Sequence, residues 1–245
     1  MTHLHRRGLL AGALVSAAGA AAHAQTSATP APASQTPASQ VPASQVPASQ
    51  APAAPEAQPG ASAPAPPPAG PKILIETSLG GVLIGLYADK APITCKNFLR
   101  YVQGRRFDGT SFYRAVNTPG APGNGFVQGG AQNDRARVFP PIPHESTLQT
   151  GLRHGDGTLS MARGAPGTAT GDFFITVGPA AYFDADPTQP GDNLGYAAFA
   201  QVLQGMDVVR KILTLPANGF ARNPVMKGQI LSPPAPILRM RVQTA

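Results

Sequence analysis

Residues 107–114 of the chain read FDGTSFYR, and residues 125–130 read GFVQGG. Aromatic and β-branched residues fill the centre of each run, and glycine lies at its borders, which is typical of short strands. We predict strands over residues 111–116 and 125–128. The glycines between positions 120 and 130 match neither the dinucleotide-binding spacing nor the lysine-containing phosphate loop, so they are interpreted as a loop leading into a strand.

Similar short apolar runs, separated by Gly, Pro, Asn and Asp, extend in both directions. The predicted strands cover residues 72–77, 79–87, 158–162, 173–177, 197–203 and 237–242, and Gly80-Gly81 indicates a hairpin between the first two. One helix is predicted from Pro92 to Gly104, since proline is tolerated in a first turn. A second opens at Gly205. This pattern favours an antiparallel barrel or sandwich over repeated βαβ units, and leaves those two open.

Five segments occur in an order that resembles the cyclophilin family of peptidyl-prolyl cis/trans isomerases. They are residues 92–98 (PITCKNF), 107–114 (FDGTSFYR), 125–130 (GFVQGG), 157–163 (GTLSMAR) and 171–176 (GDFFIT), the last followed by 194–199 (LGYAAF). The match extends from about Ile73 to the C-terminus. The resemblance implies a mainly β fold, a closed eight-stranded antiparallel β-barrel capped by two α-helices, which agrees with the predicted elements.

The resemblance also implies a reaction, rotation about the peptide bond that precedes proline. Its barrier of about 18–20 kcal/mol arises from amide conjugation. No nucleophile, metal or cofactor is needed, because a site that binds the twisted amide better than either planar isomer accelerates the rotation. By resemblance Arg114 is the catalytic residue, since a guanidinium can donate a hydrogen bond to the proline nitrogen or the adjacent carbonyl.

The residues that would bind a proline-containing polypeptide follow from the same resemblance. They are Phe126, Gln128, Ala162, Arg163, Asp172, Phe174, Tyr182, Phe183 and Tyr196. Phe126, Phe174 and Phe183, with Tyr196 at the rim, would hold the proline ring, while Gln128 and the backbone of Ala162 and Arg163 would hydrogen-bond the peptide. Phe173 and Phe174 must point to opposite faces of their strand, and the resemblance assigns Phe174 to the pocket.

Several positions depart from the family pattern. The connection from Asn117 to Asn124 is longer than usual, and only Phe126 and Val127 precede Gln128, so the pocket position that Phe126 fills stays open. Asp172 and Arg163 stand where glutamine and asparagine are common. Tyr182 stands where many eukaryotic members have the tryptophan used for cyclosporin binding, which predicts weak sensitivity to that drug. These departures concern substrate preference more than Arg114.

Other chemistries are disfavoured by the residues available. Ser160 lies inside an apolar run rather than on a tight turn, which argues against a serine hydrolase. His144 and His154 are the only histidines after position 23, and both are expected in surface loops, where they make a poor zinc site. The single cysteine, Cys95, excludes an internal disulfide and is expected to be a buried, inert thiol. No metal or cofactor is predicted.

The formal net charge of +7 is the remaining compositional signal. Basic residues after position 70 are scattered, and the only adjacent pairs there are Arg105-Arg106 and Arg210-Lys211. No stripe of basic and interleaved aromatic residues occurs, so we predict a solvated basic surface and no nucleic-acid partner.

Two N-terminal segments precede the predicted domain, which covers residues 71–245. Residues 1–24 are typical of a signal peptide, with Arg6-Arg7, an apolar run and Ala22-His23-Ala24 before Gln25. An uncleaved anchor is the alternative, and Arg6-Arg7 weakly resembles a twin-arginine export motif. Residues 25–70 form a Pro/Ala/Ser/Gln-rich linker with five-residue repeats, expected to be disordered. It is either a spacer, a ligand of a proline-binding module or a solvated tail.

We therefore expect an exported isomerase of the periplasm or cell envelope that assists protein folding, without stable membrane insertion after cleavage, and a monomer. A non-catalytic proline-peptide-binding or chaperone module is the alternative, disfavoured because Arg114 and Gln128 are both present. A third possibility is a structural envelope protein in which the linker is the working part.

Overall fold

The structure, a computed structural model, describes residues 66–188 and 191–244. The predicted signal peptide and residues 25–65 of the predicted linker lie outside the described residues. Within the part of the chain that is described, no helix is both long enough and apolar enough to cross a membrane.

Eight antiparallel strands close into a barrel in the order β1-β2-β7-β5-β6-β4-β3-β8. The strands are β1 (Lys72–Thr77), β2 (Gly80–Leu86), β3 (Thr110–Asn117), β4 (Gly125–Gly130), β5 (Thr158–Met161), β6 (Asp172–Val177), β7 (Ala198–Gln204) and β8 (Ile230–Gln243). The helices are α1 (Pro92–Gln103), α2 (Thr147–Thr150) and α3 (Met206–Leu213). The predicted barrel and its two main helices are confirmed.

Most strand and helix ends lie within two residues of the sequence prediction, with two larger differences. The single turn α2 was not predicted, and β8 begins at Ile230 instead of Ile237. The first half of β8 contains Pro233, Pro234 and Pro236, which lack an N–H and normally argue against a strand. Proline still offers a carbonyl, and the Pro236 oxygen accepts a hydrogen bond from the Ser78 N–H at 3.2 Å.

The barrel interior is apolar and includes a group of aromatic rings that contact one another in tilted and edge-on arrangements. The Phe98 ring on α1 lies 5.1 Å from Phe107, 5.4 Å from Phe173 and 5.0 Å from Phe199, measured between centroids. Cys95 lies in the same core, and burial raises the pKa of its thiol to about 12. The expectation of a buried, unreactive thiol is therefore confirmed.

A β-bulge in β3 determines which side chains face outward. Phe112 pairs with Gly129 and Arg114 pairs with Gln128, so Tyr113 is the additional residue on β3. In a regular strand Phe112 and Arg114 would share a face, because side chains alternate with a period of two. The bulge reverses the alternation. Phe112 consequently fills the core, and Arg114 points away from it.

The N-terminus of α1 is capped by a side chain that is distant in sequence. Ala91, the N-cap residue, has no capping side chain. The buried carboxylate of Glu145 instead accepts hydrogen bonds from the backbone N–H groups of Ile93 (3.1 Å) and Thr94 (2.7 Å) and from the Thr94 hydroxyl (2.6 Å). A negative charge at this end is also favourable because the helix dipole is positive there.

We predict that Glu145→Ala lowers the free energy of unfolding by about 1–3 kcal/mol, because it leaves buried donors without an acceptor. Glu145→Gln keeps one oxygen acceptor and should cost less. Glu76→Ala is the control, since Glu76 forms surface ion pairs with Arg239 and Arg241 that solvent screens and that contribute little to stability. Urea unfolding measures all three variants. Equal stability of the two alanine variants would contradict the capping role.

Candidate active site

Four strands place one row of side chains on the face directed away from the barrel core. Arg114 on β3 lies opposite Gln128 on β4, and Gln128 lies opposite Phe174 on β6. Phe174 in turn lies opposite Ser160 on β5. Directly opposed residues of antiparallel strands point to the same face, so the row forms one continuous surface. The adjacent row, which faces the core, consists of Ala115, Val127, Ile175 and Leu159.

Two glutamine side chains hold the Arg114 guanidinium. Nη1 donates to Gln128 Oε1 at 2.9 Å, while Nε and Nη2 donate to Gln229 Oε1 at 2.9 and 2.6 Å. These bonds use three of the five guanidinium N–H groups, which leaves two for a ligand. Burial lowers the pKa of Arg114 below its ordinary value, but arginine remains protonated at neutral pH.

Beside the guanidinium, four aromatic side chains pack into one cluster, the candidate aromatic pocket. The Phe174 centroid lies 5.5 Å from Phe126, 4.9 Å from Phe183 and 5.3 Å from Tyr196. Arg114 borders this pocket directly, since its Cζ lies 5.1 Å from the centroid of the Phe126 ring. A cluster of apolar rings with a permanent positive charge at its edge suits a ligand that has both an apolar ring and a hydrogen-bond acceptor atom.

The neighbouring residue, Phe173, belongs to the core and not to the pocket. Its ring lies 5.6 Å from Phe107 and 5.8 Å from Phe112, whereas Phe174 contacts the pocket aromatics. The division between Phe173 and Phe174 follows the alternation that the sequence predicted.

A buried polar chain lies behind the aromatic pocket. His154 Nδ1 lies 2.7 Å from Asp184 Oδ1, and His154 Nε2 lies 2.6 Å from Ser160 Oγ. The expectation that His154 lies on the surface is wrong, because the residue is 4 % exposed. The arrangement resembles a hydrolase triad in composition, but Ser160 is 0 % exposed, so its hydroxyl cannot reach a substrate. His154 instead packs against Phe183, with centroids 5.7 Å apart.

His144, by contrast, is partly exposed, with Nε2 3.0 Å from the Leu194 carbonyl oxygen. Among residues 66–188 and 191–244, no three His, Cys, Asp or Glu side chains come close enough to one another to hold a metal ion.

The other predicted peptide-binding residues are Ala162, Arg163, Asp172 and Tyr182. The Ala162 N–H donates to the Asp172 carbonyl oxygen at 2.9 Å, so the Ala162 carbonyl is the group left to contact a peptide. The Arg163 side chain turns toward Asp192 and the Gly195 carbonyl, and lies 5.1 Å from the Tyr196 ring. Tyr182 is 60 % exposed at the rim, and the weak sensitivity to cyclosporin stays a prediction.

Asp172 lies on β6, and its carboxylate serves the backbone. Oδ1 accepts a hydrogen bond from the Gln132 N–H at 2.7 Å, in the turn that follows β4. Burial raises the pKa of Asp172 to about 6, partly offset by backbone N–H groups of Gln132 and Asn133. Asp172, which was predicted to bind substrate, thus has a carboxyl group that stabilises the turn after β4.

Sequence reasoning did not identify Gln229 or the polar chain of His154, Ser160 and Asp184. Gln229 is 115 residues from Arg114 in sequence, and it stands beside Gly228 in a loop without a recognisable motif. His154 and Asp184 are 30 residues apart. Only the folded barrel brings these groups together, so no local pattern could have indicated them.

Comparison of the sequence with known proteins identifies one family. The family model "Cyclophilin type peptidyl-prolyl cis-trans isomerase/CLD" matches residues 72–234. A peptidyl-prolyl cis-trans isomerase of Acinetobacter baylyi is 34% identical over 172 residues, covering 69% of this chain and 84% of that protein. Peptidyl-prolyl cis-trans isomerase B of Escherichia coli is 38% identical over 144 residues, covering 57% of this chain and 82% of that protein.

Among solved structures, a cyclophilin-type peptidyl-prolyl cis-trans isomerase of Cryptosporidium parvum, determined in the presence of the dipeptide Ala-Pro, has a TM-score of 0.55. It is 19% identical, and the match covers 71% of this chain and 99% of that protein. At this identity the likeness establishes the fold.

We predict that part of the pH dependence of stability comes from Asp172. Between pH 4 and 6 the unfolded carboxyl, with an ordinary pKa of 3.8, has lost its proton while the folded one, with a pKa of about 6, retains it. The folded state then binds more protons, so stability falls as pH rises through this window, by up to about 3 kcal/mol.

Asp172→Asn should remove this decrease while keeping an oxygen acceptor for Gln132. Urea unfolding of the wild type and the variant between pH 4 and 7.5 measures the difference. Asp207→Asn, at an exposed position on α3, is the control for removing one carboxyl group elsewhere in the domain. Parallel curves for the wild type and Asp172→Asn would show that the Asp172 carboxyl does not titrate in this way.

Proposed function

Since the chain belongs to the cyclophilin-type peptidyl-prolyl cis-trans isomerase family, we propose that the aromatic pocket beside Arg114 is the site where it catalyses rotation about Xaa-Pro bonds. The observation that carries this proposal is the placement of a guanidinium with two uncommitted N–H groups at the edge of the pocket formed by Phe126, Phe174, Phe183 and Tyr196. Proline-containing polypeptides are the proposed substrates.

The chemistry of the amide explains why such a site accelerates rotation. In the planar amide, the proline nitrogen shares its lone pair with the carbonyl and is a poor hydrogen-bond acceptor. As the bond twists, conjugation is lost and the nitrogen regains its lone pair. An N–H of Arg114 that donates to this nitrogen binds the twisted state more strongly than either planar isomer, and this difference lowers the barrier. No covalent bond is formed or broken.

The aromatic pocket supplies the second requirement, a fixed axis for the rotation. A proline ring held among Phe126, Phe174 and Phe183 is restrained by apolar contacts, so the carbonyl side of the bond rotates against it. The buried His154–Asp184 pair lies behind these rings and packs against Phe183, which limits their movement.

The charge of Arg114 remains available for this task. Its hydrogen-bond partners, Gln128 and Gln229, are neutral amides. A carboxylate in either position would form an ion pair and would cancel much of the field at the pocket edge. The arrangement is therefore better suited to stabilising a developing lone pair than to forming a structural ion pair.

We also propose that the protein is exported and assists the folding of other exported proteins. The support comes from the sequence of residues 1–24, in which a basic pair, a short apolar run and small residues before Gln25 follow the order of a signal peptide. Rotation about X-Pro bonds takes tens to hundreds of seconds without catalysis, so newly exported chains have a slow step that this activity would shorten.

We predict that Arg114→Ala lowers kcat/KM for a Xaa-Pro peptide by on the order of 10²–10³-fold, the usual cost of removing one preorganised donor. Arg114→Lys should also be impaired, because lysine cannot reproduce the fork of the guanidinium. Arg239→Ala, which removes an exposed ion pair with Glu76, is the matched control. A folded Arg114→Ala protein with full activity would refute the proposed mechanism, and an inactive wild type that still binds the peptide would indicate a binding module.

For export, the expected mature protein begins at Gln25. Mass spectrometry of the protein recovered from the periplasmic fraction of a Gram-negative bacterium that expresses the full chain would determine its N-terminus. Leu10→Glu, which places a charge in the apolar run, should prevent export and cleavage. Recovery of an intact chain from the cytoplasmic fraction alone would contradict the proposal, leaving the isomerase activity unaffected.

A further inference from the structure

Gln229 is attached to the strand that carries Arg114. It directly precedes β8, and its carbonyl oxygen accepts a hydrogen bond from the Ala115 N–H at 2.9 Å. The next residue, Ile230, is the register partner of Arg114. The backbone of Gln229 is thus tied to β3 on the side opposite to Gln128, which belongs to β4.

The side-chain amide of Gln229 is held through both its oxygen and its nitrogen. Its Oε1 accepts from Arg114 Nε and Nη2, and its Nε2 donates to the Val225 carbonyl oxygen at 3.2 Å. Only the amide oxygen can accept from a guanidinium, so the bonds to Arg114 determine the orientation of the amide. The acceptor Val225 lies in a short 3₁₀ turn, Pro224–Met226, where Asn223 Oδ1 accepts from the Val225 N–H at 3.1 Å.

We propose that Gln229 is a positioning residue for catalysis, which fixes the plane of the Arg114 guanidinium so that its two uncommitted N–H groups face the pocket. This inference rests on the proposed catalytic role of Arg114. Gln128 alone would leave the guanidinium free to turn about a single hydrogen bond. Two acceptors, Gln128 at Nη1 and Gln229 at Nε and Nη2, restrain it from both sides.

A neutral acceptor is required at position 229 because the guanidinium must remain an uncompensated charge. A glutamate at this position would have the same length as Gln229 and would bind Arg114 more strongly through charge-assisted hydrogen bonds. It would also neutralise the group that stabilises the proline nitrogen in the twisted state. Positioning for catalysis and simple structural support therefore predict opposite results for Gln229→Glu.

The experiment measures kcat and KM of the full chain for a Xaa-Pro peptide, with the wild type, Gln229→Leu and Gln229→Glu. Both variants should lower kcat on the order of tenfold, with little change in KM, because the pocket that binds the proline ring is intact. Gln243→Leu, near the other end of β8, is the matched control and should have wild-type kcat. Thermal unfolding verifies that each protein is folded.

A double-mutant cycle then tests whether Gln229 acts through Arg114. In the Arg114→Ala background, Gln229→Leu should have no further effect on kcat, since the group it positions is absent. If the fold-losses in kcat of Arg114→Ala and Gln229→Leu multiply in the double variant, or if either single Gln229 variant has wild-type kcat, the inference is overturned. If Gln229→Leu does not fold, Gln229→Glu and Gln229→Asn provide the same comparison, and a fully active Gln229→Glu would overturn the inference alone.

The outcomes separate this inference from the proposed function. Full activity of Arg114→Ala would refute the catalytic role of Arg114, and the inference would fall with it. Loss of activity in Arg114→Ala together with wild-type kcat in both Gln229 variants would refute the positioning role and leave the proposed function standing.

Discussion

The β-bulge at Tyr113 is the constraint on which the site depends. A barrel strand must place alternate side chains in the core, and Phe112 meets Phe173 there with ring centroids 5.8 Å apart. Two residues further on, a regular strand would point Arg114 into the same core, where an unpaired charge is very costly. The additional residue reverses the alternation, so that one short segment supplies both a core aromatic and an outward-facing guanidinium. Gly129 accommodates Phe112, because a Cβ there would lie 2.9 Å from its ring.

The aromatic pocket depends on buried polar groups as much as on apolar ones. Asp184 accepts hydrogen bonds from both the backbone N–H (2.9 Å) and the ring of His154. The other ring nitrogen of His154 is hydrogen-bonded to the Ser160 hydroxyl. A buried polar group is tolerated only when it has a partner, and each member of this chain has one. The chain links the loop after α2, strand β5 and the segment that carries Phe183. The His154 ring of this chain therefore lies against the pocket aromatics Phe174 and Phe183 from behind.

The sequence was sufficient for features that depend on local periodicity. Strand alternation separated Phe173 from Phe174, and apolar runs between Gly and Pro located all eight strands, although β8 began seven residues earlier than predicted. The first half of β8 was not predicted, because its prolines argue against strand pairing. The bulge, the burial of His154 and the position of Gln229 were not predictable, since each arises from contacts between segments far apart in the chain. Arg114 and Gln128 could be proposed from their motifs, whereas Gln229, which also holds the guanidinium, could not.

The choice of neutral partners for Arg114 has an energetic consequence. Moving a guanidinium partly out of water costs free energy, and a nearby carboxylate would offset some of that cost. The two glutamines accept hydrogen bonds from three N–H groups but supply no compensating negative charge, so burial lowers the pKa of Arg114. The apolar core and the strand pairing of the barrel offset this free-energy cost. In the proposed mechanism this uncompensated charge distinguishes a twisted amide from a planar one, so a more stable ion pair at this position would weaken the discrimination that the mechanism requires.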